Sequence, residues 1–341
     1  MGRPALADTL RLATWNAGLD RAGPGLLLQD ILRGEDPQVA AAVQVLAALD
    51  ADVLVLTGVD YDHGLVALSA FERGLAAAGA GYPHRFALRP NTGMATGLDI
   101  DGDGRLGTPR DAQGWGRFAG EGGMAILSRL PVDAAGVRDL SAMLWRDLPG
   151  GVLPPGMPAD QAEVQRLSTT GHWVVPLILP DGGRLTLLVW HATPPVFDGA
   201  DDRNGRRNHD EAALWLRLLE GALGPVPEAP FVVIGDGNLD PVDGEGRADA
   251  MRALLSHPAL QDPAPRGSHG RAEPAHNGDP ALDTALYDPG PGGLRVDVIL
   301  PSADLTVTGS GVLWPPDSDP LAAMLRAASR HRPVWVDLDL P

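Results

Sequence analysis

At 341 residues with 44% hydrophobic content, the chain has enough apolar material for one large domain or two ordinary ones. Its 27 Lys and Arg face 44 Asp and Glu, a formal net charge of −17, which repels a polyanion unless a basic patch or bound cations intervene. Long nucleic acid is therefore disfavoured as a substrate and divalent cations are favoured as partners. Disulfides and thiolate metal sites are excluded by the lack of cysteine, and no apolar run reaches the ~18 residues of a membrane helix.

Residues 1–7 end in Pro4-Ala5-Leu6-Ala7, which reads either as the A-x-A end of a secretory signal or as an Ala-rich disordered tail. The signal reading gives a secreted or periplasmic protein. Residues 8–341 show no solenoid-period repeat and no dividing linker, so they are expected to form a single domain and a monomer.

In chain order, residues 9–14 alternate as a strand into Trp15-Asn16-Ala17-Gly18, and helical spacing covers 25–33 and 37–49. The apolar run 52–57 predicts a buried strand whose mouth is Gly58-Val59-Asp60-Tyr61-Asp62, followed by a helix over 65–80. Within the Gly-rich stretch 82–123, Asp99, Asp101 and Asp103 hold positions 1, 3 and 5 of a calcium loop. Gly104 sits at the sharp turn and Arg105 where a backbone carbonyl ligand belongs. The bidentate Glu at position 12 is replaced by Arg110, with Asp111 next, so Ca2+ is expected on a loop without flanking helices.

Strands follow at 122–129, 172–179 and 184–191, the last ending in Trp190-His191. The polar run 203–211 holds Arg203, Arg206 and Arg207, the best basic patch in the chain, and leads into a helix over 212–223. The apolar run 231–234 is a buried strand that stops at Gly235-Asp236-Gly237-Asn238. A carboxylate there can serve as a base or metal ligand, and a carboxamide can hold an oxygen without adding charge. A helix over 248–255, a long loop over 262–293, a strand carrying Asp297, a strand over 305–314 and a last strand preceded by Ser329-Arg330-His331 complete the chain.

Thr-Trp-Asn16, the His191 strand end, Gly-Asp236-Gly-Asn238-Leu-Asp-Pro, Arg-Val-Asp297-Val-Ile-Leu and Ser-Arg-His331-Arg-Pro-Val together resemble the endonuclease/exonuclease/phosphatase superfamily over nearly the whole chain. The resemblance implies an α+β fold: a four-layered α/β sandwich, two mixed β-sheets face to face with helices outside. It implies Asp236 as the base for an attacking water, Asn16 and Asn238 as holders of phosphate or metal-bound water, and His191 at the phosphoryl oxygens. His331, oriented by Asp297, would stabilise charge on phosphorus. It also implies a catalytic Mg2+ or Mn2+, for which Asn16, Asp60 and Asp236 are the available ligands.

The pattern is broken twice. The strand that usually ends in Gln-Glu ends here in Thr57-Gly58, and the usual Ser-Asp-His is Ser329-Arg330-His331. Two metal carboxylates are missing, and Arg330 joins Arg203 and Arg207 as a candidate phosphate-binding cation. The expected activity is hydrolysis of a small phosphorylated compound. The alternatives are a non-catalytic phospho-ligand-binding relative with a degraded metal site, and a nuclease.

Overall fold

The computed structural model describes residues 9–340, so the segment 1–7 lies outside the described residues. The strands are β1 (Thr9–Leu19), β2 (Val53–Val59), β3 (His84–Phe86), β4 (Gly123–Ser128), β5 (Arg138–Asp139), β6 (Gly171–Ile178), β7 (Arg184–His191), β8 (Phe231–Asp236), β9 (Ala285–Tyr287), β10 (Gly292–Leu294), β11 (Asp297–Pro301), β12 (Thr306–Val312) and β13 (Val334–Asp339). The helices are α1 (Leu26–Arg33), α2 (Pro37–Leu49), α3 (Val66–Ala77), α4 (Ala159–Val164), α5 (Arg203–Leu219), α6 (Asp249–Leu255) and α7 (Pro320–Ala328).

One sheet has the order β12-β13-β1-β2-β4-β3 and a second β11-β8-β7-β6-β5, while β9 and β10 form a separate hairpin. Each large sheet is mixed, with β1–β2 parallel in the first and β7–β8 parallel in the second.

The alternation of side chains along each strand sorts the apolar residues into layers. Leu10, Leu12, Val53 and Val55 face the second sheet and pack with Leu187, Val189, Val232 and Ile234. Their neighbours Ala13, Trp15, Leu54 and Leu56 face outward onto α2, α3 and α7 through Val45, Leu46, Phe71 and Leu325. Phe231 and Val233 of the second sheet turn the other way, onto Leu214, Leu218 and Leu254 of α5 and α6. The result is helix, sheet, sheet, helix. Both faces of the central strands are covered, so β2 and β8 read as unbroken apolar runs.

Two expectations are corrected. Helix α5 begins at Arg203, not 212, because the polar residues of its first turns point inward: Arg207, Asn208, Asp210 and Glu211 are all buried. The stretch 262–293 is not loop throughout, since it contains β9 and the start of β10.

Candidate active site

The sheet registers bring the polar strand ends together. Asp236, last residue of β8, is paired in register with His191 of β7 on one side and Asp297 of β11 on the other. Across the sandwich, Asn16 of β1 donates from Nδ2 to Asp236 Oδ2 at 2.8 Å. At Gly235 a Cβ would lie 2.0 Å from the Trp190 carbonyl oxygen, so only glycine lets β8 run this close to β7 before the turn.

Asp236 is 0% exposed. Its Oδ1 accepts from the Asn238 amide at 2.9 Å, and its Oδ2 lies 3.5 Å from His191 Nε2 and 3.9 Å from His331 Nδ1. His331 Nδ1 is nearer to Asp297 Oδ2, at 2.9 Å, and the same oxygen accepts from Thr284 Oγ1 at 2.8 Å. Facing carboxylates, Nδ1 carries the proton. Asn238 has left-handed backbone (φ 51°) and turns its Nδ2 to the Ala192 carbonyl at 2.9 Å, which ties the β8 turn to the end of β7.

Burial opposes the charged form of each group, and the outcome differs by neighbour. Burial, then the charge of Asp297, raises the Asp236 carboxyl, against the pull of His331, His191 and Asn16. Burial also works against the His331 imidazolium, but Asp297 and Asp236 together outweigh it and raise that group. His191 is lowered, by burial first, with Asp236 only partly restoring it. The two carboxylates therefore favour the protonated form of His331, while burial disfavours that of His191.

A cleft of about 800 Å³ reaches this cluster through Asn16 and His191, which line it together with Gly58. Other candidates have different places. Asp60 spends its carboxylate on the amides of Arg21 (2.9 Å) and Gly122 (3.1 Å), and it lines a separate small cavity. Burial first, then Asp20 and Glu121, raises its carboxyl to about 7. It is not brought to Asn16 and Asp236. Arg207, read as a substrate ligand, borders the cleft but is only 6% exposed, and it donates to the Leu167, Gln113, Arg166 and Ser168 carbonyls, which braces the loops. Arg203 lines the cleft. Arg330 is exposed, its guanidinium 5.6 Å from the Tyr287 ring centre.

Tyr287, edge-on to His331 at 6.1 Å between ring centres, and Thr284 were missed by sequence reasoning. So was Glu211, whose carboxylate oxygens accept from the amides of Thr169 and Thr193 on the cleft wall. None lies in a motif. A polar residue amid a helix that buries its polar face was the only available signal, and it marks Glu211 alone.

Among the described residues, two groups could hold an ion. The ligand atoms of Asp236, Asp297 and His331 lie within 4.8 Å of one another, as do those of Asp99, Asp101 and Asp103. In the second group, Asp99 accepts from the amides of Gly102, Asp103 and Gly104, and Asp103 accepts from that of Arg105. Asp111, offered as a further ligand, instead fastens the loop: Oδ1 accepts from the Ile100 amide, and Oδ2 from the Thr108 amide and hydroxyl.

The catalytic shell implied by the resemblance is not reproduced. Gly58 has φ 65°, and a Cβ there would stand 2.3 Å from Asn16 Oδ1. Position 330 is cationic, and in the cluster of Asp236, Asp297 and His331 one Asp297 oxygen is already taken by His331 Nδ1. Asp297 Oδ1 is buried without a protein partner, but one free oxygen is not a coordination shell.

A family model, the Endonuclease/Exonuclease/phosphatase family, matches residues 13–331. Among solved structures the chain is similar to an endonuclease/exonuclease/phosphatase from Beutenbergia cavernae DSM 12333 (19% identity, TM-score 0.57, covering 97% of this chain and 72% of that one). It is also similar to sphingomyelinase C from Streptomyces griseocarneus (16%, 0.51, 96% and 99%). A third is a mannosyl-6-phosphatase from Bacteroides thetaiotaomicron VPI-5482 (15%, 0.51, 97% and 100%). At these identities the likeness shows the fold. No curated protein matches the chain.

Proposed function

The chain belongs to the endonuclease/exonuclease/phosphatase family, and from that premise we propose that it hydrolyses a small phosphorylated compound by in-line attack of water on phosphorus. The observation that carries this reading is the convergence on Asp236 Oδ2 of Asn16, His191 and His331. Asp236 takes the proton from the attacking water as its oxygen bonds to phosphorus; the bond from phosphorus to the alcohol oxygen breaks, and the departing oxygen takes a proton from solvent. The protonated His331, held by Asp297, meets charge developing on the phosphoryl oxygens. Neutral His191 and the Asn16 amide position them without adding charge. No step is routed through a metal, since the donor set at Gly58 and Arg330 does not supply one.

Substrate size follows from charge. The run 203–211 offers no basic groove for duplex DNA: Arg207 is spent on carbonyls, and Arg206 donates to those of Asp201 and Val152. Of the similar structures, one is by name a sphingomyelinase and one a mannosyl-6-phosphatase, and the second name is that of an enzyme for a small phosphorylated sugar.

The test is hydrolysis of p-nitrophenyl phosphate, bis(p-nitrophenyl) phosphate and plasmid DNA by wild type and Asp236→Asn. We expect small esters to be turned over in preference to DNA, and Asp236→Asn to remove at least ~10²-fold of kcat, the usual worth of a general base. The altered positions 58 and 330 favour a second reading, a phospho-ligand-binding relative. A wild type inactive on every ester that still binds inorganic phosphate would establish it.

A further inference from the structure

The cleft is lined by a cation that the hydrolytic centre does not use. Arg203 donates from Nη2 to Gln165 Oε1 at 2.8 Å and from Nη1 to Gln161 Oε1 at 3.3 Å. Both acceptors are neutral. They are also oriented: Gln165 Nε2 is bonded to the Gln113 carbonyl at 2.9 Å, and Gln161 Nε2 to that of Ile100 at 3.2 Å, so each amide presents its oxygen to the guanidinium. Among the described residues no carboxylate lies within 4.0 Å of Arg203. The nearby acid Asp198 is occupied by the Asn204 amide.

Burial lowers Arg203, with only Asp201 opposing it. A guanidinium has five N–H donors, and the two amides take two. Taking a cation out of water with no carboxylate in contact is costly, and a neutral side chain would serve as well if the role were only to tie α4 to α5. In a chain of net charge −17, with acids available on every side, a half-buried arginine held only by amides is poised for an anion from outside. The cleft that Arg203 lines also carries two exposed aromatic rings, Trp115 at 58% and Phe197 at 83%, together with Asp198 and Asp201; Phe197 has left-handed backbone at φ 70°. Such strain in a bulky residue gathers at ligand clamps.

We propose that Arg203, fixed by Gln161 and Gln165, is a second anion-binding subsite, and that the substrate is a small phosphoester whose alcohol part carries a further phosphate or carboxylate. This deepens the phosphoesterase reading and rests on it for the word substrate. The subsite itself is tested by binding alone. Tungstate, a phosphate-shaped anion that is not hydrolysed, is titrated calorimetrically into wild type, Arg203→Gln and Arg203→Lys. The expected stoichiometry is two for wild type and one for Arg203→Gln. Arg203→Lys should keep the second equivalent at lower affinity, since it retains the charge but not the fork.

Fructose 1,6-bisphosphate against fructose 6-phosphate, and 6-phosphogluconate against glucose 6-phosphate, are then compared in an Asp236→Asn background that suppresses turnover. The doubly anionic member of at least one pair should bind roughly tenfold or more tightly, as expected of a charge-assisted hydrogen bond, and Arg203→Gln should erase the difference. The first pair isolates a phosphate, the second a carboxylate. A tungstate count unchanged by Arg203→Gln, or no discrimination in either pair, overturns the subsite. Absence of turnover on every ester would sink the hydrolytic reading while leaving these titrations able to stand.

Discussion

A Cβ on Gly58 would lie 2.3 Å from Oδ1 of Asn16, so the Asn16 amide and a side chain at 58 compete for one space. Gly58 also has φ 65°, where a side chain costs about 1–2 kcal/mol. A carboxylate is therefore not simply missing from the end of β2, because the backbone has been built around its absence. Gly58→Glu should lower stability by at least ~2 kcal/mol and displace Asn16 from Asp236, without tightening Mg2+ or Mn2+ binding. Arg330→Asp, at an exposed position, should stay within about 0.5 kcal/mol of wild type. Thermal melts and metal titrations of both variants decide. A Gly58→Glu protein of wild-type stability that gains tight metal binding would show that the shell is intact and lacks one ligand only.

The pairing of Asp297 with His331 predicts an unusual pH response. The proposed mechanism requires Asp236 ionised and His331 protonated, and both groups are raised from their ordinary values. The rate profile should be a bell with its acid limb above the ordinary carboxylate range and its alkaline limb above that of free histidine, each belonging to the cluster as a whole. Asp297→Asn removes the largest charge holding the proton on His331 and also the charge that raises Asp236. Both limbs should then move to lower pH, and kcat should fall. A loss of kcat with both limbs unmoved would mean that Asp297 merely supports packing.

The core and most of the site were legible because they obey local rules. Runs such as those of β2 and β8 are apolar without interruption because both faces are covered, and residues at their ends stand at the mouth of the sandwich. Asp236, His191, Asp297, His331 and Asn16 were found that way and do meet. What failed shares one cause, the assumption that polar means outside. The first nine residues of α5 bury Arg207, Asn208, Asp210 and Glu211 against backbone groups of distant loops, so neither the helix start nor the roles were visible. Asp60 reads as a strand-mouth ligand, yet it serves two loop amides, one of them sixty-two positions away. Partners so distant in sequence leave no spacing to read.

The Asp99 loop is the next test. Asp99, Asp101 and Asp103 already converge, and the Asp99 and Asp111 carboxylates shape the turn through amide bonds. We expect Ca2+ at millimolar excess to raise Tm relative to chelator, with the shift growing with concentration as binding to the native state requires. Asp101→Ala should remove the shift. Asp111→Ala should lower Tm with and without Ca2+, because its oxygens hold Ile100 and Thr108 rather than an ion. Superimposable wild-type melts in Ca2+ and in chelator would make the loop a solvated turn.

Glu211 connects the cleft wall to stability. Burial raises its carboxyl from 4.5 to about 7, against the pull of Arg207 and of the Thr169 and Thr193 amides. Because the folded value lies above the unfolded one, the folded state binds the proton more tightly. The associated stability is fully present below about pH 4.5 and is lost as pH rises through about 7, a swing on the order of 3 kcal/mol. Asp60 and Asp283, each raised to about 7 by burial, act in the same direction. Wild-type Tm should therefore fall from pH 5 to pH 8. Self-repulsion in a chain of net charge −17 also grows with pH, so the wild-type slope alone is not diagnostic and the comparison with Glu211→Gln is. A glutamine at 211 cannot ionise, and its amide nitrogen faces one of the two backbone N–H groups. The variant should start less stable at pH 5, by about the 1–3 kcal/mol of an unsatisfied buried donor. It should then lose less Tm than wild type between pH 5 and 8. Parallel Tm curves for the two proteins would mean that Glu211 stays ionised throughout and that the slope arises elsewhere.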